Sequence, residues 1–252
     1  MLILGCLHAS QFIGLQVVSS LQYSTCWLSI MNNKSYKKIK LFLKKIYQYR
    51  YRFFGKKLHL LNRHQTYDDY VNKQKEKTLD PNRIKIWMGK EWDIKLDGFR
   101  KLFERNSNFL NKASNCICLG ARTGQEVKAL RELGKEAIGV DLVEFPPFTV
   151  EGDIHNLNYL DKSFDFVFTN IFDHSLYPDK FISEMERICQ SEGYIVINLQ
   201  VNTLGDDYSE NIINDASEAI KLFKHSKEIV SRSINNSFDE MNWEIVMQKI
   251  KL

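Results

Sequence analysis

Acidic residues are missing from the first 67 positions of the sequence, where Asp68 is the first to occur. The same stretch holds eleven lysines and arginines, whereas the rest of the chain holds 24 basic and 31 acidic residues. The net charge of +4 therefore comes from the N-terminal part, and the remainder is acidic. A basic isoelectric point is thus no argument for a nucleic-acid partner, which we do not expect.

Metal-ligand spacings are also lacking. The five cysteines form neither a CxxC pair nor a disulfide framework, and Cys116 and Cys118 lie in an apolar run. As strand residues two apart they would share one face, so the sequence favours buried thiols over a metal site. We expect no bound metal, and a reducing, cytoplasmic compartment.

Charged residues of either sign are absent from residues 1–33. Apolar residues dominate this segment, but glutamines and serines interrupt it, so it only approaches the apolar length that a membrane span requires. Two interpretations stay open: a membrane anchor, or translation from an upstream start with Met31 as the true first residue.

Residues 34–79 are predicted to be a basic, helical extension. Between Lys37 and Phe54, lysines and arginines alternate with isoleucine, leucine, phenylalanine and tyrosine. This composition is typical of a helix on an anionic lipid surface or of a clamp on a phosphate-bearing substrate, and equally of a helix packed on one face. Residues 1–57 are therefore a candidate membrane-surface region.

From residue 80 to residue 252 the apolar pattern predicts one α/β domain. A helix is indicated over Ile84–Phe103, where apolar residues recur at steps of three and four. Strands are then predicted at 116–119, 137–140, 148–150, 164–168, 194–199, 228–234 and 243–250, with helices after the first, after the fourth and at 212–223. This alternation predicts a Rossmann-like three-layer α/β/α fold, with a seven-stranded, mostly parallel sheet and a C-terminal antiparallel hairpin strand.

The segment Gly120–Gly124 connects the first predicted strand to the first helix. Small residues at such a turn expose backbone N–H groups at a helix N-terminus and let a ligand approach the main chain. Asp141 follows 21 residues after Gly120, at the end of the next strand, where a carboxylate can accept both ribose hydroxyls. Together these features predict a site for a nucleoside-containing cofactor. Arg122 and Gln125 stand where the dinucleotide fingerprint requires glycine, which argues against NAD.

In five blocks the chain resembles class I methyltransferases of the broad type 11 group. The blocks are residues 118–126, 139–142, 152–157, 161–170 and 191–197. The resemblance implies a methyltransferase domain over about residues 80–252, with S-adenosylmethionine as the cofactor. One position departs from the family pattern, because Cys118 stands where many relatives carry an acid.

The same resemblance implies a role for each matching residue. Gly120, Ala121, Arg122, Thr123 and Gly124 would pass beneath the methionine and the ribose, and Asp141, with Leu142 beside it, would hold the ribose hydroxyls. Asp153 and the N–H of Ile154 would read the adenine edge, and Asn170 would lie beside the methionine. Alternatives stay open at two positions. Asp153 is also a typical turn-forming residue, and Glu126 either replaces the missing acid or complements the helix dipole.

Candidate catalytic residues follow the fourth predicted strand. His174 is of the residue type that most often serves as a general base and Asp173 precedes it, although either side chain could equally fix the loop. The sequence favours a small-molecule, sugar or lipid-like acceptor and does not indicate an oligomeric state. The rival function is a non-catalytic methyltransferase-like binding module tethered by its basic N-terminus.

Overall fold

A computed structural model describes residues 59–61, 63–203, 205–236 and 238–251 of the chain. The described residues from His59 onward form one compact unit. The predictions for residues 1–33 and for the basic segment up to residue 57 lie outside the described residues. Within the described ranges, no helix combines the length and the apolar character that crossing a membrane demands.

Seven strands form the central sheet. Their bounds are β1 Asn115–Leu119, β2 Glu136–Asp141, β3 Thr149–Glu151, β4 Phe164–Thr169, β5 Cys189–Leu199, β6 Ser226–Ser233 and β7 Trp243–Lys249. The order across the sheet is β3-β2-β1-β4-β5-β7-β6. The first five strands pair in parallel, whereas β7 runs antiparallel to both β5 and β6. The predicted α/β architecture with an antiparallel C-terminal hairpin is confirmed.

Helices cover both faces of this sheet. Their bounds are α1 Tyr67–Leu79, α2 Pro81–Met88, α3 Trp92–Arg105, α4 Ser107–Leu110, α5 Gln125–Glu132, α6 Pro178–Ile188 and α7 Ser217–Ile220, with a short 3₁₀ helix at Phe172–His174. One apolar core contains Ile117 and the buried face of α6; the other contains Cys116, Cys118 and residues of α3 and α5. Both thiols are fully buried and unpaired on the same face of β1, as the spacing predicts.

The prediction of a single helix over Ile84–Phe103 is wrong. The chain forms two helices, because α2 ends at Gly89, whose φ of −104° and ψ of −111° do not continue a helix. The N–H of Trp92 then bonds to the carbonyl of Gly89, and α3 begins there. Apolar residues recur across this break, so the periodicity did not reveal it.

The helix predicted over residues 212–223 is largely wrong as well. Asn211–Ile212 forms a short antiparallel pair with His59–Leu60, and only Ser217–Ile220 is helical. The side-chain amide of Asn211 donates to the carbonyls of Phe172 and Ser175, which holds this backbone extended. The strand predicted from Tyr194 in fact begins at Cys189 and passes through the expected turn, where Glu192 has a φ of +66°.

Helix α1 lies on the N-terminal side of the domain boundary predicted at residue 80. Thr66 and Asp69 form a reciprocal capping box at its start. Its buried residues are polar: Tyr70, Gln74, Lys77 and Thr78. Because α1 packs within the same compact unit as the sheet, we propose that the domain begins before α1.

Candidate cofactor and acceptor site

The loop after β1 contains two glycines whose backbone conformation depends on the absence of a side chain. Gly120 and Gly124 have φ values of +76° and +83°, in the left-handed region that other residues seldom adopt. A Cβ atom at Gly120 would run into the side chain of Ile171, and one at Gly124 into Phe148. The N–H groups of Gly120 and Ala121 bond to the carbonyl of Val140, which ties the loop to the end of β2.

Asp141 ends β2 beside this loop, as predicted. Its Oδ2 accepts the backbone N–H of Arg122 at 2.9 Å. Burial raises the pKa of the Asp141 carboxyl group, while the charge of Arg122 and the N–H groups of Arg122, Leu142 and Val143 act in the opposite direction. The carboxylate is therefore a half-buried acceptor held in place by the backbone.

Two cavities open on either side of the loop. The first has a volume of about 480 Å³ with its open mouth and is lined by Tyr70, Gln74, Lys77, Thr78, Gly120, Arg122, Asp141, Leu142, Ile154, Ile171 and His174. The second, of about 370 Å³, is lined by Lys95, Phe99, Gly120, Ala121, Arg122, Thr123, Gln125, Glu126, Asn170, Ile171, Phe238 and Asp239. The cavities share Gly120, Arg122 and Ile171, so they meet at the glycine loop.

Most of the predicted cofactor residues line one cavity or the other. Two of them do not, Gly124 and Asp153, and neither does the catalytic candidate Asp173. Gly124 instead begins helix α5. The guanidinium of Arg122 lies 4.3 Å from the ring centroid of Trp87, a cation–π contact.

Both carboxylate oxygens of Asp153 have protein partners. Oδ2 accepts the hydroxyl of Tyr67 at 2.6 Å, and Oδ1 accepts the N–H of His155 at 2.8 Å. The bond to the N–H two residues on is the Asx-turn geometry that the sequence left open for this residue. Although burial acts upward, the bonds from His155 and Tyr67 lower the pKa of Asp153 to about 2. Ile154, the next residue, lines the first cavity.

His174 lies in the first cavity with both ring nitrogens engaged. Nδ1 is 2.9 Å from the carbonyl oxygen of Tyr208, and Nε2 is 3.2 Å from Nζ of Lys77. A carbonyl oxygen only accepts, so Nδ1 is the donor and a neutral imidazole has its lone pair on Nε2. That lone pair accepts a hydrogen bond from Lys77.

Asp173 lines neither cavity, although its Oδ2 lies 3.9 Å from Nε2 of His174, which lines the first. Its Oδ2 accepts the hydroxyl of Ser209 at 2.7 Å, and its carbonyl accepts the N–H of Glu210 at 2.7 Å. These bonds hold the 3₁₀ helix against the segment 206–210. The geometry is that of a loop-fixing residue, the alternative that the sequence left open.

Two carboxyl groups, those of Glu126 and Asp239, line the second cavity. Glu126 is buried, and burial raises its pKa to about 8, against the opposing charges of Arg122 and Lys95. Burial also raises the pKa of Asp239, whose Oδ2 lies 3.4 Å from the side-chain nitrogen of Asn170. Cys118 lines neither cavity, but the Glu126 carboxylate is close enough to contribute to the raised pKa of its thiol.

Sequence reasoning missed the contribution of α1 to the first cavity. Tyr70, Gln74, Lys77 and Thr78 occupy one helical face, at steps of four, three and one. No apolar pattern marks that face, so a search for apolar periodicity cannot find it. The signals available were the Thr66–Asp69 capping box and this polar spacing. Asp239 was missed because it follows a turn far from the recognised blocks.

Comparison with known protein families identifies the central part of the chain. Residues 117–197 match the sequence model of a family described as a methyltransferase domain. The resemblance to type 11 methyltransferases is confirmed. The matched residues run from β1 into β5 and include the glycine loop, Asp141 and His174. A search of curated proteins found no match.

Solved structures with the same methyltransferase fold are distant in sequence. An N1-methyltransferase of Burkholderia thailandensis, solved with 1,6-didemethyltoxoflavin and S-adenosylhomocysteine, superposes with a TM-score of 0.57 at 12% identity. That match covers 77% of this chain and 95% of the other. A Pyrococcus horikoshii protein superposes with a TM-score of 0.50 at 14% identity, covering 63% and 91%. These likenesses show the fold alone.

Proposed function

We propose that the protein is a methyltransferase that transfers the methyl group of S-adenosylmethionine to a small-molecule, sugar or lipid-like acceptor. The observation that carries this proposal is the half-buried Asp141 carboxylate, which lines the first cavity beside the left-handed Gly120–Gly124 loop. A carboxylate at the end of the second strand suits a ribose diol, and the loop offers close main-chain approach.

The pair of cavities fits a ligand with a nucleoside end and an amino-acid end. We assign the adenosine to the first cavity, beside Asp141, Leu142 and Ile154, and the methionine to the second, beside Glu126 and Asn170. Ile171 fills the space where a Cβ of Gly120 would lie, and both residues line both cavities. Glu126 would replace the acid that Cys118 does not supply.

S-adenosylmethionine carries a methyl group that is electrophilic because it is bonded to a positively charged sulfur. For such a displacement the protein contributes mainly alignment and exclusion of water. Asn170 and Ile171, which follow β4, line the second cavity, and Ile171 also lines the first, so both are suited to align the reacting groups. The Nε2 lone pair of His174 accepts from Lys77, so His174 would act as a base only after that bond is exchanged.

Calorimetric titration of S-adenosylmethionine and S-adenosylhomocysteine into the full chain tests this function. We expect micromolar binding of both, and a loss of about tenfold or more in Asp141→Asn, which removes the charge at a hydrogen-bonded acceptor. Asp165→Asn is the matched control, because that carboxylate bonds to the N–H groups of Ser114 and Asn115, at the opposite ends of the strands. Absence of binding by the folded chain would contradict the proposal.

A second function, that of a binding module without turnover, has one observation in its favour. The residue that replaces the family acid, Cys118, is fully buried and touches neither cavity. Cofactor binding without methyl transfer to any of a broad acceptor panel would support this reading. A membrane surface contacted through residues 1–57 remains part of either proposal.

A further inference from the structure

Lys77 is a buried cation in the first cavity. Its side chain is only 8% exposed, although lysine is rarely buried without a close charged partner. The nearest carboxylate is that of Asp206, at 3.5 Å, and the side chain of Asp206 is 54% exposed. The Tyr208 ring centroid lies 4.7 Å from Nζ. The protein therefore compensates this ammonium group only weakly.

Two cationic side chains line the first cavity. Lys77 and Arg122 both line it, and the acid among its lining residues is Asp141, which bonds to the N–H of Arg122. Burial and the charge of Arg122 together lower the pKa of Lys77 to about 8, against the opposing effects of Asp206 and Asp173. An anion in the cavity would relieve this repulsion.

His174 fixes the direction of the lysine. Because Nδ1 donates to the Tyr208 carbonyl, Nε2 faces Nζ of Lys77 as an acceptor at 3.2 Å. Tyr70 and Ile154 add ring and aliphatic surface to the same cavity. An ammonium group held in place beside apolar side chains is a typical site for an organic anion.

We propose that Lys77, positioned by His174, binds an anionic oxygen of the methyl acceptor, so that the acceptor is a small organic acid. This inference rests on the proposed function, since it assigns the acceptor to the side of the first cavity that α1 covers. The carboxylate of the cofactor offers the same chemistry, and a test must therefore distinguish these two sources.

Benzoate and its neutral isostere benzamide are suitable probes for the full chain saturated with S-adenosylhomocysteine. We expect benzoate to bind about tenfold or more tightly than benzamide, the range of a charge-assisted hydrogen bond. In Lys77→Met this ratio should fall to about one, whereas Lys77→Arg should retain part of it. Lys75→Met is the matched control, because Lys75 lies on the same helix and pairs with Glu151, away from the cavity.

The wild-type protein provides a second measurement that does not depend on a variant. Benzoate affinity should fall as the pH rises beyond about 8, where Lys77 loses its charge. The groups that face Lys77 are His174, Asp173, Asp206, Tyr208 and Arg122, and none of them becomes more cationic in that range.

Three outcomes would overturn the inference. The first is equal affinity for benzoate and benzamide. The second is a ratio of the two affinities that does not change in Lys77→Met, and the third is benzoate binding only when S-adenosylhomocysteine is absent. The last would mean that the cofactor itself occupies the position beside Lys77. If S-adenosylhomocysteine itself fails to bind, the proposed function fails separately, and the benzoate ratio in the free protein still tests Lys77.

Discussion

Glu126 lies in the first turn of α5 with its carboxyl group buried at the second cavity. Because burial raises its pKa to about 8, the free protein favours the protonated form at neutral pH. A ligand ammonium group would reverse this preference by stabilising the carboxylate. A helix-dipole role alone would need no buried position, since the dipole also favours exposed acids in the first turn.

Replacing Glu126 by glutamine should stabilise the free protein at alkaline pH. The pKa of about 8 in the fold exceeds the unfolded value of 4.5, so the stability associated with the protonated group is present below pH 4.5 and is lost as the pH rises through 8. We expect Glu126→Gln to gain roughly 1 kcal/mol or more at pH 9 and almost nothing at pH 4.5. Urea unfolding across this range measures the difference.

Glu132→Gln is the control on the same helix, with the opposite sign. Hydrogen bonds from Arg100 and Lys128 lower the pKa of Glu132 to about 2, so its removal should not stabilise the protein at high pH. If Glu126 also holds the cofactor ammonium, Glu126→Gln should weaken S-adenosylhomocysteine binding about tenfold. A stability gain with unchanged affinity would leave only the dipole role.

Helix α5 and the strands beside it could be predicted because local signals agree with the tertiary structure. Apolar runs mark the buried strands, and Gly134, with a φ of +77°, ends α5 as predicted. The predictions fail where polar side chains determine the structure, because the pattern of apolar residues does not report them. The amide of Asn211 fixes an extended segment, and α1 buries a polar face against the cavity. The spacing predicts the glycine loop and Asp141, and the family resemblance implies Asn170, whereas nothing local marks Lys77, which reaches the first cavity through a tertiary contact.

Helix α1 is the element that should couple stability to ligand binding. Tyr67 bonds to Asp153, and Lys77 bonds to His174, so α1 contacts both the turn at Asp153 and the loop that follows β4. Thr66→Ala removes an exposed cap and should destabilise α1 by about 1 kcal/mol. Faster hydrogen exchange confined to residues 67–79, with a weaker affinity for S-adenosylhomocysteine, is the expected result. Thr66→Ser keeps the capping oxygen and should behave as wild type. If Thr66→Ala weakens the exchange protection of α1 but leaves the affinity for S-adenosylhomocysteine unchanged, coupling between α1 and ligand binding is excluded.

At the scale of the whole chain, charge divides the protein into two parts. Ten lysines and arginines lie between residues 34 and 57, whereas the compact unit that begins by His59 carries an excess of acids. Like charges of that number repel one another unless an anionic surface compensates them. The acidic unit holds the proposed catalytic site, and the basic segment is suited to bring it to a lipid surface.

The full chain should therefore sediment with vesicles that contain phosphatidylserine and not with vesicles of phosphatidylcholine alone. Each basic residue near an anionic surface contributes about 1 kcal/mol, so a few engaged residues suffice for measurable binding. High salt should release the protein, because screening shortens the reach of the charges. A chain beginning at His59 is the control and should remain in the supernatant with S-adenosylhomocysteine affinity intact. Equal sedimentation of the two chains would exclude the basic segment as the membrane contact and would favour a soluble acceptor.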